Sequence, residues 1–277
     1  MSNCNYHTAL SIAGSDSSGG AGVQADLKTF SALGVYGMTA ITALTAQNTL
    51  GVDSIMPATP EIVSAQIDAV FADIRPDAVK IGMLFNTPII EAVAGRLSYH
   101  SPTHIVLDPV MISTSGCPLI SDDAIAALIE LLMPIATVIT PNKSEAERIA
   151  GIKIGSTPAL LDAGQRILAM GAKAVLIKGG HFDSDMMTDY LFTSPAAEPA
   201  RLAAPAVATS NTHGTGCTLS SAIAAYLALG NSLLQATALA KSYLHKAIVA
   251  GADAKIGNGH GPVNHFFQPS RLITKQA

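Results

Sequence analysis

The strongest constraint on the fold is an alternation of short apolar runs with helical patterns along most of this 277-residue chain. Each apolar run stops at Gly, Asp-Pro, Pro-Asn or Lys-Gly. The runs cover residues 8–13, 78–81, 105–107, 137–140 and 174–177. Apolar strands that alternate with helices indicate a mostly parallel sheet covered on both faces. We therefore predict an α/β fold, built as a three-layer α/β/α sandwich.

Helical patterns fill the spaces between these predicted strands. They cover residues 21–33, 60–73, 88–98, 122–132, 143–150 and 158–170, and two Ala-rich helices follow at 215–229 and 233–252. Shorter, more mixed runs over 189–209 indicate an antiparallel edge of the sheet. The sequence shows neither an internal repeat nor a low-complexity linker, so we predict one domain over residues 1–277.

Composition narrows the class of function. Apolar residues make up 49% of the chain, yet no apolar stretch approaches the ~18 residues that a membrane span needs. A net charge of -4, no basic cluster and no Trp argue against nucleic-acid binding. Cys4, Cys117 and Cys217 fit neither a disulfide framework nor a zinc site, and we expect no signal peptide. A cytoplasmic enzyme that acts on small molecules is the prediction.

The predicted strands share one property: residues suited to chemistry follow each of them. Gly14, Met83, Asp108, Asn142 and Lys178 all stand at or just beyond a strand end. In open parallel sheets the ligand crevice lies beyond the carboxyl ends of the strands, so these residues should line one rim. The alternative is that Gly, Asp and Asn only form the turns there.

Residues 211–219, Asn-Thr-His-Gly-Thr-Gly-Cys-Thr-Leu, precede an apolar helix. Gly214 and Gly216 allow a tight turn that aims several backbone N–H groups at one point, and the helix start adds unpaired donors and a positive dipole end. Such donors predict an anion hole for a transferring phosphoryl group. Cys217 falls in the first helical turn, where we expect a lowered thiol pKa. A small buried cysteine is the alternative.

A second glycine-rich segment, residues 13–22, follows the first predicted strand and opens a helix. It is not a Walker loop, because no Lys-Ser/Thr follows the glycines, and it is not a dinucleotide-binding loop. Its glycines favour a flat small substrate that lies against the backbone. Asp26, about one turn into the helix, is a candidate hydrogen-bond acceptor for a substrate hydroxyl or amine. Stabilisation of the helix N-terminus is the alternative role for this carboxylate.

Two more strand ends carry candidate ligands. Asn142 and Glu145 have the spacing of a helix capping box, and Glu145 could alternatively act through water on Mg²⁺. Lys178 precedes two glycines, an arrangement that suits the oxygens of a polyphosphate.

These segments together resemble a known family. The sequence contains, in order, AGSDSSGGAGVQADLKTF, TAQNT, KIGML, LDPVM, TPNKSEA, KGGH and NTHGTGCTLSSA. They look like the hydroxymethylpyrimidine/phosphomethylpyrimidine kinases of thiamine biosynthesis, a branch of the ribokinase-like superfamily. The resemblance runs from about residue 8 to 267, and Cys217 stands where ribokinase-like sugar kinases usually have Asp. It implies ATP-dependent phosphorylation of 4-amino-5-hydroxymethyl-2-methylpyrimidine, first to the monophosphate and then to the diphosphate.

The resemblance also implies roles for individual residues. The pyrimidine would contact Gly14, Ala21, Asp26, Gln47, Met83, Val110 and His213. ATP would be held by Asp108, Asn142, Lys178 and Thr215, and Mg²⁺ by Asp108 and Glu145. Cys217, Gly214, Gly216 and Lys178 would be catalytic, with Cys217 as the proton acceptor and the glycines as the anion hole. Some relatives carry Glu where this chain has Gln47.

Other functions remain open on the sequence. A pyridoxal or pyridoxine kinase of the same superfamily accepts a similarly flat hydroxymethyl compound, so Gln47 and Met83 do not exclude it. A sugar kinase would have Asp in place of Cys217. A ligand-binding protein without turnover fits poorly with the joint presence of Lys178, Glu145 and Cys217. Relatives are commonly dimers, so we expect a homodimer, and residues 113–118 are a candidate loop over the substrate.

Overall fold

In the part of the chain that the structure describes, one sheet of nine strands forms the centre. The computed structural model describes residues 5–111, 119–180, 185–194 and 198–275, so the candidate loop 113–118 lies outside it. The strands are β1 (Thr8–Asp16), β2 (Tyr36–Gln47), β3 (Val52–Pro57), β4 (Ala78–Ile81), β5 (Ile105–Leu107), β6 (Val138–Ile139), β7 (Ala174–Gly180), β8 (Met186–Thr193) and β9 (Ala200–Pro205). Their order across the sheet is β3-β2-β1-β4-β5-β6-β7-β8-β9.

The sheet is parallel in its centre and antiparallel at both edges. Strands β2, β1, β4, β5, β6 and β7 pair in parallel. Strand β3 is antiparallel to β2, and β8 and β9 extend the other edge antiparallel to β7. The chain first moves from β1 to β2 and then returns past β1 to β4. The strand order therefore reverses at β1, and a ligand crevice is expected beyond its carboxyl end.

Helices cover both faces of the sheet. They are α1 (Gly22–Ala32), α2 (Pro60–Asp73), α3 (Thr87–His100), α4 (Asp122–Ala127), α5 (Lys143–Ala150), α6 (Thr157–Ala169), α7 (Thr215–Ala228) and α8 (Leu233–Gly251). One apolar core packs α2 to α6 against the sheet, and a second packs α1, α7 and α8 against its other face. The three-layer α/β/α prediction is confirmed. None of the helices described is long and apolar enough to cross a membrane.

The edge formed by β2 and β3 was not predicted. Strand β2 consists largely of Ala, Thr and Gly, and its inward residues Met38, Ala40 and Thr42 alternate with partly exposed neighbours. Small side chains hide that period of two, because they give little contrast in hydrophobicity. The antiparallel edge predicted over 189–209 is confirmed in β8 and β9.

The predicted helix over 122–132 changes its winding halfway. It is α-helical through Ala127 and then continues as a π-helical segment, Leu128–Leu132. There the Met133 N–H donates to the Leu128 carbonyl oxygen at 3.1 Å. In this π-helical winding both Leu128 and Leu132 point into the core, where they are buried.

Two helix-interior glycines provide a matched test of core packing. A Cβ at Gly164 in α6 would overlap the ring of Phe192, whereas one at Gly95 in α3 would meet no atom within 4 Å. We expect Gly164→Ala to lower the free energy of unfolding by about 1–3 kcal/mol through overpacking. Gly95→Ala should raise it by up to about 1 kcal/mol, because Ala favours the helix. Denaturant unfolding of both variants measures this, and equal effects would contradict the packing.

Candidate active site

A cavity of about 750 Å³ opens at the carboxyl ends of the parallel strands. This volume is in the range of small-molecule sites, which run to about 1,000 Å³. It brings together nearly all the residues predicted from sequence. They are Gly14, Ala21, Gln47, Met83, Asp108, Val110, Asn142, Glu145, Lys178, His213, Gly214, Thr215, Gly216 and Cys217. The predicted rim of strand ends is therefore one continuous wall.

Two glycine turns meet at the N-terminus of helix α7. Gly214 is the N-cap of α7 and has a φ of 78°, a left-handed conformation that favours glycine. A Cβ there would overlap the carbonyl oxygen of Gly20, and a Cβ at Gly20 would overlap the ring of His213. Backbone therefore packs directly on backbone. This contact places the start of α7 against the start of α1, so two helix N-termini face the cavity.

A buried carboxylate, Asp16, joins these turns. Its Oδ2 lies 2.8 Å from His213 Nε2 and also accepts hydrogen bonds from the N–H groups of Gly20 and Ala21. Although burial raises the pKa of Asp16, hydrogen bonds donated by His213 and Ser18 bring it to about 2. The sequence assigns no role to Asp16 beyond its place in the glycine-rich segment 13–22. Its ionised side chain holds His213 in place.

Cys217 lies in the first turn of α7, half-buried in the cavity wall. Burial raises the pKa of its thiol to about 11, and Lys80 and the Gly22 N–H only partly oppose this. The prediction of a lowered pKa is wrong. Loss of water and the nearby carboxylates Asp26 and Asp108 outweigh the helix N-terminus. At neutral pH Cys217 is a thiol, not a thiolate.

Asp108 and Lys178 form an ion pair at the ends of β5 and β7. Lys178 Nζ lies 2.7 Å from Asp108 Oδ1, and Thr140 and Ser220 also donate to this carboxylate. Burial opposes the charge on Asp108, but Lys178 and Lys80 hold its pKa below the usual value. The pKa of Lys178 is raised, because Asp108 and Glu145 outweigh burial. Both groups are therefore ionised.

Asn142 and Glu145 form the predicted capping box of α5. The Asn142 side chain accepts from the Glu145 N–H at 3.0 Å, and Glu145 Oε2 accepts from the Asn142 N–H at 2.7 Å. Burial raises the pKa of Glu145 to about 7, with Lys178 opposing and Asp108 adding to the shift. The carboxyl also lines the cavity. Glu145 can therefore cap helix α5 and also contact a ligand in the cavity.

These carboxyl groups fit a hydrated Mg²⁺ ion better than a fully protein-bound metal. Within the described ranges, no cluster of three or more metal-binding side chains occurs. Mg²⁺ usually keeps several waters and is held by one or two carboxylates together with substrate phosphates. Asp108 and Glu145 provide two such carboxyl groups in one cavity.

Gly14, Met83, Val110 and Gln47 line a second part of the cavity, which we call the slot. Met83 Cε packs so closely on Gly14 that a Cβ there would lie 2.6 Å from it. Met83 belongs to a small apolar cluster that Val110 packs against. Gln47 Oε1 accepts from Thr45 Oγ1 at 3.2 Å, and Gln47 Nε2 lies 3.5 Å from His213 Nε2. The slot can hold a flat ring with an amide at one edge.

Asp26 does not line the cavity, and the prediction that it contacts the substrate does not agree with this structure. Its side chain is completely buried under the cavity floor. Both of its oxygens bind Lys80 Nζ, at 3.0 and 2.9 Å, and they also accept from Ser11 and Ser221. Lys80 was missed. A lysine inside an otherwise apolar strand, Ala-Val-Lys-Ile, was the signal for a buried partner.

A second ion pair closes the far side of the cavity. Lys241 Nζ of α8 lies 2.8 Å from Asp189 Oδ2, and Asp189 Oδ1 accepts from the Gly179 N–H at 2.7 Å. Next to it, Leu244 and Ile248 add an apolar wall. No sequence motif indicates this apolar wall, because it depends on which face of α8 turns inward.

Comparison with known proteins identifies relatives of the whole chain. The sequence pattern of the phosphomethylpyrimidine kinase family matches residues 16–264. A hydroxymethylpyrimidine/phosphomethylpyrimidine kinase of Rhizobium meliloti is 53% identical over 259 residues, which cover 93% of this chain and 96% of that protein.

Solved structures agree in fold. The crystal structure of phosphomethylpyrimidine kinase from Clostridium difficile superposes with a TM-score of 0.76 at 48% identity, covering 87% of this chain and 99% of that one. The pyridoxal kinase of Staphylococcus aureus, in complex with AMP-PCP and pyridoxal, superposes with a TM-score of 0.84 at 36% identity, covering 94% and 93%. The fold is thus shared by both activities.

The raised thiol pKa leads to a test of Cys217 that needs no substrate. Because alkylation requires the thiolate, we expect iodoacetamide to modify Cys217 at pH 9 about 50-fold more slowly than the same residue in the unfolded chain. The rate should rise with pH up to about 11. Site-resolved mass spectrometry of the Cys217 peptide measures it, with urea-unfolded protein as the control. A plateau reached below pH 8 would contradict the burial argument.

Proposed function

Because the chain belongs to the phosphomethylpyrimidine kinase family, we propose that it phosphorylates 4-amino-5-hydroxymethyl-2-methylpyrimidine twice, to the diphosphate used in thiamine biosynthesis. The observation that carries the proposal is that one cavity contains both a site for a flat ring and a site for a transferring phosphoryl group. A flat slot edged by Gln47 opens onto the glycine turn and thiol of residues 214–217. A kinase for a planar alcohol needs both.

The slot supports binding of an aminopyrimidine. The side-chain amide of Gln47 offers a donor and an acceptor together, which matches the adjacent amino group and ring nitrogen of the substrate. Gly14, Ala21, Met83 and Val110 would contact the faces and edges of the ring. In this proposal His213, held by Asp16, contacts the substituent that carries the hydroxyl or the phosphate.

The opposite part of the cavity supports ATP binding. Lys178 and Asn142 would contact the phosphates, and the backbone of Gly214, Thr215 and Gly216 would donate hydrogen bonds to the transferring group. The apolar wall of α8 has room for the base. Asp108 and Glu145 would hold Mg²⁺ through its water shell, and the ion would neutralise charge on the phosphate oxygens.

Cys217 would lie beside the acceptor oxygen. Since the thiol is neutral at pH 7, it cannot act as a preformed base. Only the thiolate can accept the hydroxyl proton, so Cys217 would act as a base after its own proton has left to solvent, and a loose phosphoryl-transfer transition state requires this transfer only late in the step. The second acceptor, a phosphate, is already ionised and needs no base.

The similarity to pyridoxal kinases favours one alternative. Their structures superpose well on this chain, although at lower identity than the pyrimidine kinase. Pyridoxal is also a flat hydroxymethyl compound, so the slot alone does not distinguish the substrates. Only the pyrimidine route requires a second transfer onto the first phosphate.

Product analysis tests the proposal directly. The purified protein is incubated with ATP, Mg²⁺ and either the hydroxymethylpyrimidine or pyridoxal, and products are separated by ion-exchange chromatography. We expect the pyrimidine to be converted to its diphosphate. A product that stops at the monophosphate, combined with efficient phosphorylation of pyridoxal, would favour the alternative.

The two steps should respond differently to loss of the thiol. We expect Cys217→Ala to slow the first single-turnover step by roughly 10²-fold, the low end for a general base, and the second by less than about tenfold. The control is Cys217→Ser, which keeps a polar group of similar size. Rapid-quench measurement of each step decides this. Equal losses in both steps would leave Cys217 a positioning role only.

The quaternary state and domain division are further parts of the proposal. We propose a single domain that forms a homodimer. The edge made by β2 and β3 supports this, because Leu44, Leu50 and Met56 are large apolar side chains exposed there.

A further inference from the structure

A buried ion pair lies between the sheet and helix α7, directly under the cavity floor. Lys80 of β4 and Asp26 of α1 are both 0% exposed. The two oxygens of Asp26 lie 3.0 and 2.9 Å from Lys80 Nζ. Two charges removed this completely from water impose a large desolvation penalty, and well-packed apolar residues in their place are often no less stable. Stability alone therefore gives a weak reason for the pair.

Asp26 connects four elements that build the site. Besides Lys80 on β4, it accepts from Ser11 Oγ on β1 at 2.5 Å and from Ser221 Oγ on α7 at 2.6 Å. Ser221 is only four residues beyond Cys217 along α7. The carboxylate therefore ties the first turns of α7, which carry the anion hole, to the strands beneath them.

The ammonium group of Lys80 lies toward the carboxyl end of β4. A Cβ added at Gly82, just beyond the strand, would lie 2.8 Å from Lys80 Nζ. Lys80 lies directly behind the part of the cavity wall that contains Cys217 and Asp108. Its positive charge lowers the pKa of both groups, although burial raises the pKa of each. Asp26 and Asp108 act on Cys217 in the opposite direction.

We propose that Lys80, held by Asp26, is a positioning residue for phosphoryl transfer that fixes the start of α7 and keeps a positive charge beneath Cys217. This inference rests on the proposed kinase function. Lys80 does not contact the substrate, since its side chain has no exposed surface. It acts in two ways: it holds α7 in place, and its positive charge acts on the thiol and the acceptor oxygen as the hydroxyl proton leaves.

The test removes both charges together, because a lone buried carboxylate in Lys80→Met would threaten folding. In the double variant Asp26→Asn/Lys80→Met we expect the first single-turnover step to slow by at least about tenfold, with KM for the pyrimidine within about threefold of wild type. The alkylation midpoint of Cys217 should rise, because the loss of the Lys80 cation outweighs the loss of the Asp26 carboxylate, which acts on the thiol in the opposite direction. The matched control is Asp77→Asn/Lys275→Met, an ion pair of 2.7 Å outside the cavity wall, which should change neither quantity.

A second variant separates the two parts of the role and guards against misfolding. Ser221→Ala keeps both charges and removes only the tie to α7, so we expect a slower first step with an unchanged alkylation midpoint. Wild-type rates and an unchanged thiol titration in a folded double variant would overturn the proposal and leave a purely structural pair. If the wild-type protein makes no pyrimidine diphosphate, the proposed function fails, while the thiol titration still decides whether the charge of Lys80 acts on Cys217.

Discussion

The close packing of two glycine turns is the contact on which the rest of the site depends. The Gly20 carbonyl lies so near Gly214 that no side chain fits between them. This contact brings the start of α1 and the start of α7 to one place, and the Asp16–His213 pair holds them there at 2.8 Å. Because α1 follows β1, where the strand order reverses, the paired helix starts stand at the crevice of the sheet. Because the anion hole consists of backbone groups, it is rigid and does not depend on a flexible side chain.

Burial raises the pKa of Asp16, Glu145 and Cys217 alike, but the partners of each group decide its final value. Asp16 keeps a pKa of about 2, because several hydrogen bonds are donated to it. Glu145 and Cys217 have fewer favourable partners, and burial raises their pKa values to about 7 and 11. At neutral pH the same wall therefore contains a fixed charge on Asp16, a partly ionised carboxyl group on Glu145 and a neutral thiol on Cys217. A fixed charge suits the positioning of other groups, and a carboxyl group that titrates near pH 7 suits a response to a bound cation.

The sequence predicted the central strands, the covering helices and the residues at the strand ends and glycine turns that the cavity brings together, because these follow from apolar periodicity and from glycines at strand ends. It failed where tertiary contacts decide. Strand β2 was missed because its small side chains show little alternation. Asp26 was assigned to the substrate because its spacing along α1 cannot show that Lys80 lies opposite. Cys217 was given a lowered pKa from its helix position, whereas desolvation dominates. Each error concerns a group whose environment comes from distant parts of the chain.

The pairing of charges at the site also limits how it can attract a polyphosphate. Lys178 is already bound to Asp108, and Lys80 to Asp26, so two cations and two carboxylates leave these pairs neutral overall. In the proposed function, the two helix starts and a metal ion that accompanies the nucleotide would add to the attraction of a highly charged donor. A phosphate that approached Lys178 would compete with Asp108 and free that carboxylate toward the ion. Donor and metal should therefore bind cooperatively, since each relieves the charge that the other leaves unpaired.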